Sequence, residues 1–254
     1  MSLAEKSPLN ALGVNLAGQR VAVIGVGGIG LEVGRICATL GARLVMVDVA
    51  AQDDAVTSSL AHPDRHTWVV ADITDATDQA GIVDRCRDVD AVVITSAICP
   101  DETVVDIDDD EAWAASFERI MAVNTAGPMR ICQRLLPHMQ ARGSGRIVIL
   151  SSLASRNGGL LSGPHYSASK GALNSFVRWM ATRGAPKGVS VNGIVPGVTE
   201  TPILGGRTVD ASRIPTGRIA KPIEVARAAV FLASPAASYI HGVTLDVNGG
   251  VWMG

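Results

Sequence analysis

Arg20-Val21-Ala22-Val23-Ile24-Gly25-Val26-Gly27-Gly28-Ile29-Gly30 decides the fold class of this chain. Five residues, mostly apolar and β-branched, run straight into a glycine-rich turn. Beyond it, Ile29, Val33, Ile36, Cys37 and Leu40 recur at helical spacing until Gly41 ends the helix. Strand, glycine turn and helix in that order form the context in which G-x-G-x-x-G carries meaning. Glycines let the backbone approach a pyrophosphate, and a helix N-terminus offers free N–H groups at the positive end of its dipole. Gly25, Gly28, Ile29 and Gly30 are therefore candidate cofactor-binding residues.

The next apolar run, Arg43 to Val47, reads as a second buried strand, and it ends on Asp48. An acid at that tip, about 20 residues past the glycines, is placed to accept from both ribose hydroxyls of an adenosine. It would repel a 2′-phosphate, and no Lys or Arg stands in the turn or just after Asp48 to offset that. NAD (NADH) is thus expected over NADP. His66 to Val70 and Asp90 to Ile94 read as strands three and four, Arg146 to Leu150 as the fifth, Val189 to Val195 as the sixth and Val243 to Val247 as the seventh. Helical stretches at Gln52–Ala61, Asp75–Arg87, Glu111–Met139 and Pro222–Leu232 separate them. Such alternation implies right-handed βαβ units and a doubly wound parallel sheet, an α/β fold. The acidic cluster Asp106, Asp108, Asp109, Asp110 and Glu111 reads as a solvated loop capping the next helix, with no metal.

Ligands in open α/β sheets bind beyond the carboxyl ends of the strands. Ser152, after the fifth strand, falls on the same edge as the glycine turn. So does the stretch His165-Tyr166-Ser167-Ala168-Ser169-Lys170, which opens a helix. Tyr166 and Lys170, four apart, lie on one helix face. A phenol there can exchange a proton with a substrate oxygen while an ammonium holds its pKa down. Bringing a phenol from about 10 to neutrality takes roughly 4 kcal/mol. One charge about 4 Å away, at an effective dielectric of about 20, supplies roughly that. Asn124, a mediocre helix former in the middle of a helical stretch, invites a functional reason. The Gly-, Pro- and Thr-rich segment from Val198 to Thr216 has the composition of a cover over a pocket. Leu153, Leu160, Leu161, Ile203 and Leu204 would make that pocket partly apolar, while Arg156, His165 and Arg207 could meet a polar group.

At 254 residues with a formal charge of -2, the chain suits one large domain over 16–254 behind a loosely held arm over 1–15. Nothing in the charge suggests a nucleic-acid or anionic-membrane surface, and no apolar run is long enough to span a bilayer. Cys37, Cys86, Cys99 and Cys132 are scattered and read as reduced thiols of a cytoplasmic protein. The two long helical stretches carry more large apolar residues than one buried stripe requires, so a homodimer or homotetramer is expected. The outward positions would include Ala114, Phe117, Met121, Leu135, Leu173, Phe176 and Trp179, with Phe117 or Phe176 near the interface.

Over nearly its whole length the chain resembles the short-chain dehydrogenase/reductase family. The glycine turn, Asp72-Ile73, Asn124, Ser152, Tyr166-x-x-x-Lys170, Pro196-Gly197 with Thr201, and Asn248-Gly249-Gly250 follow in the family's order. The resemblance implies a Rossmann-type sheet of seven strands in the order 3-2-1-4-5-6-7. It implies that Ser152 bonds the substrate oxygen, that Tyr166 is the general acid/base, and that Lys170 lowers its pKa and grips the nicotinamide ribose. Asn124 would hold a water linking Lys170 to solvent. Asp72 and Ile73 would flank the adenine, Val198 and Thr201 would orient the carboxamide, and Ala97 and Pro196 would also border the cofactor. The implied activity is NAD(H)-dependent hydride transfer between nicotinamide and a secondary alcohol or ketone. An NADPH-linked 3-oxoacyl-thioester reductase and an idle dinucleotide-sensing protein are the alternatives. Two departures stand out: the turn is one residue shorter than the family's T-G-x-x-x-G-x-G, and Ile98 replaces a glycine after the fourth strand.

Overall fold

The computed structural model describes residues 8–51, 54–100, 109–159 and 162–254. In chain order the elements are α1 (Pro8–Ala11), β1 (Arg20–Ile24), α2 (Gly28–Thr39), β2 (Arg43–Asp48), α3 (Asp54–Ser58), β3 (Thr67–Val70), α4 (Ala76–Cys86), β4 (Ala91–Ile94), α5 (Asp110–Met121), α6 (Gly127–Arg142), β5 (Gly145–Leu150), α7 (Ala154–Asn157), α8 (Pro164–Gly184), β6 (Val189–Pro196), α9 (Pro222–Ala233) and β7 (Thr244–Val247). The seven strands form one sheet in the order β3-β2-β1-β4-β5-β6-β7, every neighbouring pair parallel. The expected architecture and strand order therefore hold.

Both faces of the sheet are covered, which is why the strands read as unbroken apolar runs instead of alternating ones. Successive side chains of β1 enter different cores. Ala22 and Ile24 join Ile82 of α4, Ile131 and Leu135 of α6, and Val177 and Met180 of α8. Val21 and Val23 join Val33 and Cys37 of α2 and Val225 and Ala229 of α9. Leu135, Leu173 and Phe176, expected on the outward faces, are all in the first of these cores. The reason is that the two helices that carry them, α6 and α8, pack on the sheet along stripes that sequence spacing alone leaves unphased. Of that set Ala114 and Trp179 are exposed, and Phe117 and Met121 are half-buried.

The helix ends obey their local signals. Asp75 caps α4 through Thr77 N and Asp78 N, and Asp109 caps α5 through Glu111 N and Ala112 N. Gly41 turns the chain out of α2 in the left-handed region (φ 92°). Three stretches differ from expectation. Gln52–Ala61 is helical only over Asp54–Ser58, with residues 52–53 outside the described set. The long stretch Glu111–Met139 is broken by a π-helical turn at Ala122–Ala126, so α5 and α6 are separate helices. The cover over 198–216 contains single 3-10 turns at Pro202–Leu204 and Ala211–Arg213. Within the expected arm over 1–15, residues 1–7 lie outside the described set and Pro8–Ala11 makes one helical turn; Leu16, the first residue past it, is fully buried. Asp106, Asp108, Leu160 and Leu161 also lie outside it. No helix among the described residues is long and apolar enough to cross a membrane.

Candidate active site

The carboxyl ends of β1, β4, β5 and β6 converge on a cavity of about 410 Å³. Of the residues singled out from sequence, Ile29, Ala97, Ser152, Tyr166, Lys170, Pro196, Val198 and Thr201 line it. The glycine turn sits at its rim. Gly27 precedes the first turn of α2 with no side-chain cap, so the leading amides of that helix keep no partner from a side chain. Gly30 needs its lack of a side chain, because a Cβ there would collide with the Gly25 carbonyl. Gly28 is bare for a different reason: a Cβ would strike Thr201 of the cover. Asp48 turns toward this turn. One carboxylate oxygen accepts from Val26 N at 2.6 Å and the other from Ala50 N at 3.0 Å. Uncapped helix amides, glycines at close approach and a carboxylate at the second strand tip fit the pyrophosphate and adenosine ribose of a dinucleotide.

Tyr166 and Lys170 stand one turn apart near the start of α8, a helix begun by Pro164 behind Gly163. The Ser152 hydroxyl accepts from Ala154 N at 3.1 Å, and its interaction with the Tyr166 hydroxyl favours the phenolate. Burial works the other way and dominates, pushing the phenol up to about 12. Lys170 is 1 % exposed; its Nζ donates to Leu150 O at 3.2 Å and lies 5.8 Å from the centre of the Tyr166 ring. Burial lowers its pKa to about 8. Burial is the largest cause of both shifts, and the phenol is protonated at neutral pH in this arrangement.

Asn124 is fully buried in the π-helical turn, which explains an asparagine in mid-helix. Its oxygen accepts from Ile98 N at 2.8 Å, and its amide donates to Ile98 O at 2.9 Å and to Ser169 Oγ at 3.2 Å. Those bonds pin the segment after β4, at Ile98, to α8. Three other expected residues stand apart from the cavity. Asp72 is exposed and accepts from Thr74 N and Oγ1, while the Ile73 side chain is buried in the core. His165 faces away from the cavity, held edge-on by Trp113 and Phe117.

Several residues that hold the site gave no signal in the sequence. Ser151 Oγ donates to Lys170 O at 2.8 Å, Thr125 Oγ1 to Ser169 O at 3.0 Å, and Asn174 Nδ2 to Ser155 Oγ at 2.7 Å. These buried polar contacts fix α8 against the end of β5 and the π-turn. Arg156 binds Thr244 and Asp246, tying the β5 end to β7 instead of meeting a ligand. A run of serines and threonines beside an apolar strand is the only hint such a network leaves.

A family model described as enoyl-(acyl carrier protein) reductase matches residues 25–252. The chain is 36% identical over 244 residues to the cis-4-hydroxycyclohexanecarboxylate dehydrogenase of Sinomonas cyclohexanicum, covering 91% of this chain and 96% of that one. It is 37% identical over 258 residues to the galactitol 2-dehydrogenase (L-tagatose-forming) of Cereibacter sphaeroides, covering 93% and 97%. Among solved structures it resembles a 7α-hydroxysteroid dehydrogenase complexed with NADH and 7-oxo glycochenodeoxycholic acid, at 28% identity, a TM-score of 0.84 and coverage of 95% and 97%.

Proposed function

The chain belongs to the short-chain dehydrogenase/reductase family, and from that premise we propose that it is an NAD(H)-dependent oxidoreductase acting on a secondary alcohol or ketone. The observation that carries this reading is the meeting of Ser152, Tyr166 and Lys170 with Ile29, Ala97, Pro196, Val198 and Thr201 around one cavity. The glycine turn and Asp48 would hold the adenosine half of the cofactor, and Val198, Thr201 and Lys170 the nicotinamide half. When bound, nicotinamide supplies a hydride donor or acceptor at C4. In the reducing direction the Tyr166 phenol gives its proton to the carbonyl oxygen as that oxygen gains charge, while Ser152 orients it. In the oxidising direction Tyr166 takes the hydroxyl proton. Such transfer is worth about 10²–10⁴-fold. Asn124 positions these groups by fixing the segment after β4. The dehydrogenase names of its relatives and the apolar walls from Leu153, Ile203 and Leu204 agree with a small organic alcohol as substrate.

Cofactor choice gives a direct test. NADH should bind at least about tenfold tighter than NADPH, since a 2′-phosphate would be brought against the Asp48 carboxylate. Asp48→Ala should narrow that gap mainly by removing repulsion. Equal wild-type affinities in calorimetry would show that Asp48 does not face the ribose.

The same reading includes self-association. Trp113 of α5 and Trp179 of α8 are 43% and 42% exposed, and Trp113 stacks on Phe117 at 5.5 Å. Aromatic surface on the two helices that carry the site suits a second copy. Light scattering at low micromolar concentration should give two or four times the chain mass; a single 26.3 kDa species would refute it.

A further inference from the structure

Ser152-Leu153-Ala154-Ser155 carries the chain out of β5 and into α7, and Ser152 is gripped there at two points. Its Oγ accepts from Ala154 N at 3.1 Å, and its carbonyl oxygen accepts from Ser155 N at 2.9 Å. The same carbonyl also accepts from the Ser155 hydroxyl at 2.5 Å. Ser155 Oγ in turn accepts from Asn174 Nδ2 at 2.7 Å. Ser151 approaches Ser155 Oγ at 3.3 Å, but its hydroxyl lies closer to Lys170 O, at 2.8 Å. Two side-chain steps, Asn174 to Ser155 and Ser155 to Ser152, therefore run from α8 to the wall of the cavity.

The direction of these bonds follows from the groups that make them. An amide nitrogen only donates, so Asn174 gives its hydrogen to Ser155 Oγ, and the single Ser155 hydrogen is left for the Ser152 carbonyl. A hydroxyl that receives one hydrogen bond gives a stronger one. Asn174 is 5% exposed, and its Oδ1 has no hydrogen-bond partner among the described residues. An amide held in a packed helix face with its oxygen unpaired costs stability, and a leucine of nearly the same shape would not. What the asparagine supplies in return is the bond to Ser155. Its helix, α8, also carries Tyr166 and Lys170, which line the cavity together with Ser152. The link thus ties the Ser152 turn to the helix whose groups it must work with.

We propose that Asn174 and Ser155 are positioning residues for the reaction, holding the Ser152 turn so that its hydroxyl meets the substrate oxygen in register with Tyr166. The proposal rests on the reading that Ser152 orients that oxygen. Its physical core can be tested without substrate or cofactor, by hydrogen exchange read by mass spectrometry over residues 151–158. Exchange there should be at least about threefold faster in Ser155→Ala and in Asn174→Ala than in the wild type. Should Asn174→Ala fail to fold, Ser155→Ala, which removes one oxygen, carries the comparison. Unchanged exchange overturns the proposal. With a secondary alcohol that the wild type oxidises, Ser155→Ala should lower kcat about tenfold and leave KM and NADH affinity within about twofold, since a displaced hydroxyl is felt in the transition state. Ser155→Thr, which restores the hydroxyl, should recover at least about half of that loss. In a Ser152→Ala background the same Ser155→Ala change should alter kcat by less than about twofold, because the residue acts through Ser152. A full tenfold loss in that background, or a loss confined to KM, overturns the proposal. A fully active Ser152→Ala would instead sink the functional reading of Ser152, while hydrogen exchange would still report on the clamp.

Discussion

Tyr166→Phe should lower turnover by two or more decades while leaving NADH affinity nearly unchanged. The ring remains to pack in the cavity, but the transferable proton is gone, and proton transfer by a positioned side chain is worth about 10²–10⁴-fold. The fall should appear equally in kcat and kcat/KM, since the hydroxyl acts at the transition state. The phenol itself sets the pH dependence. Burial holds it at about 12, so it is protonated and ready to donate through neutral pH, and reduction should be flat there. Oxidation needs the phenolate and should rise toward alkaline pH. Steady-state kinetics in both directions, with calorimetry for NADH, decide the matter. Activity within a factor of about three of wild type would remove Tyr166 from the mechanism.

Lys170→Met should cost activity on a similar scale and yet make the protein more stable at neutral pH. The lysine is 1 % exposed and its pKa is pushed from 10.5 down to about 8 by burial. That drop corresponds to roughly 3 kcal/mol of penalty on the charged form. Below pH 8 the side chain is charged both folded and unfolded, and the whole penalty stands. Between about 8 and 10.5 the folded chain gives up its proton first, so wild-type stability rises through that window. Methionine carries no charge to desolvate, though it forfeits the bond to Leu150 O, worth about 1 kcal/mol. The net expectation at pH 7 is a gain of about 2 kcal/mol, or some 4–8 °C in Tm, shrinking toward pH 10. Denaturant melts of both proteins across that range test it. A methionine variant less stable than wild type at pH 7 would show that the buried ammonium is not a strained group. A gain in stability with a loss of turnover is the mark of a residue kept for function.

Most of the scaffold was legible in the chain. Arg20 to Gly30 announced strand, turn and helix, and Asp48 announced the tip of the second strand. Seven apolar runs separated by helical stretches gave a parallel sheet, because strands buried on both faces must be apolar throughout. The co-linear motif set placed Ser152, Tyr166 and Lys170 on one edge, and the structure brings them into one cavity. What the chain could not disclose was depth. Four-residue spacing puts a tyrosine and a lysine on one face, but only packing decides whether water reaches them. In the folded protein burial raises the pKa of the tyrosine and lowers that of the lysine.

Partnerships between distant residues were hidden for the same reason. Asn124 invited a functional reason by its place in a helical stretch, but its clamp on Ile98, 26 positions away, had no trace in the sequence. Arg207 lines the cavity as a possible ligand contact would, but its bonds to Cys99 and Pro100, more than a hundred positions away, were hidden. Leu135, Leu173 and Phe176 looked available to a partner and are in the core. Local sequence fixes element type through side-chain periodicity and glycine conformation, so the sheet and the glycine turn that opens its first helix were determined by the chain alone. Burial, long-range hydrogen bonds and the field at the phenol arise only when separate elements are packed together, and those were decided by the tertiary structure.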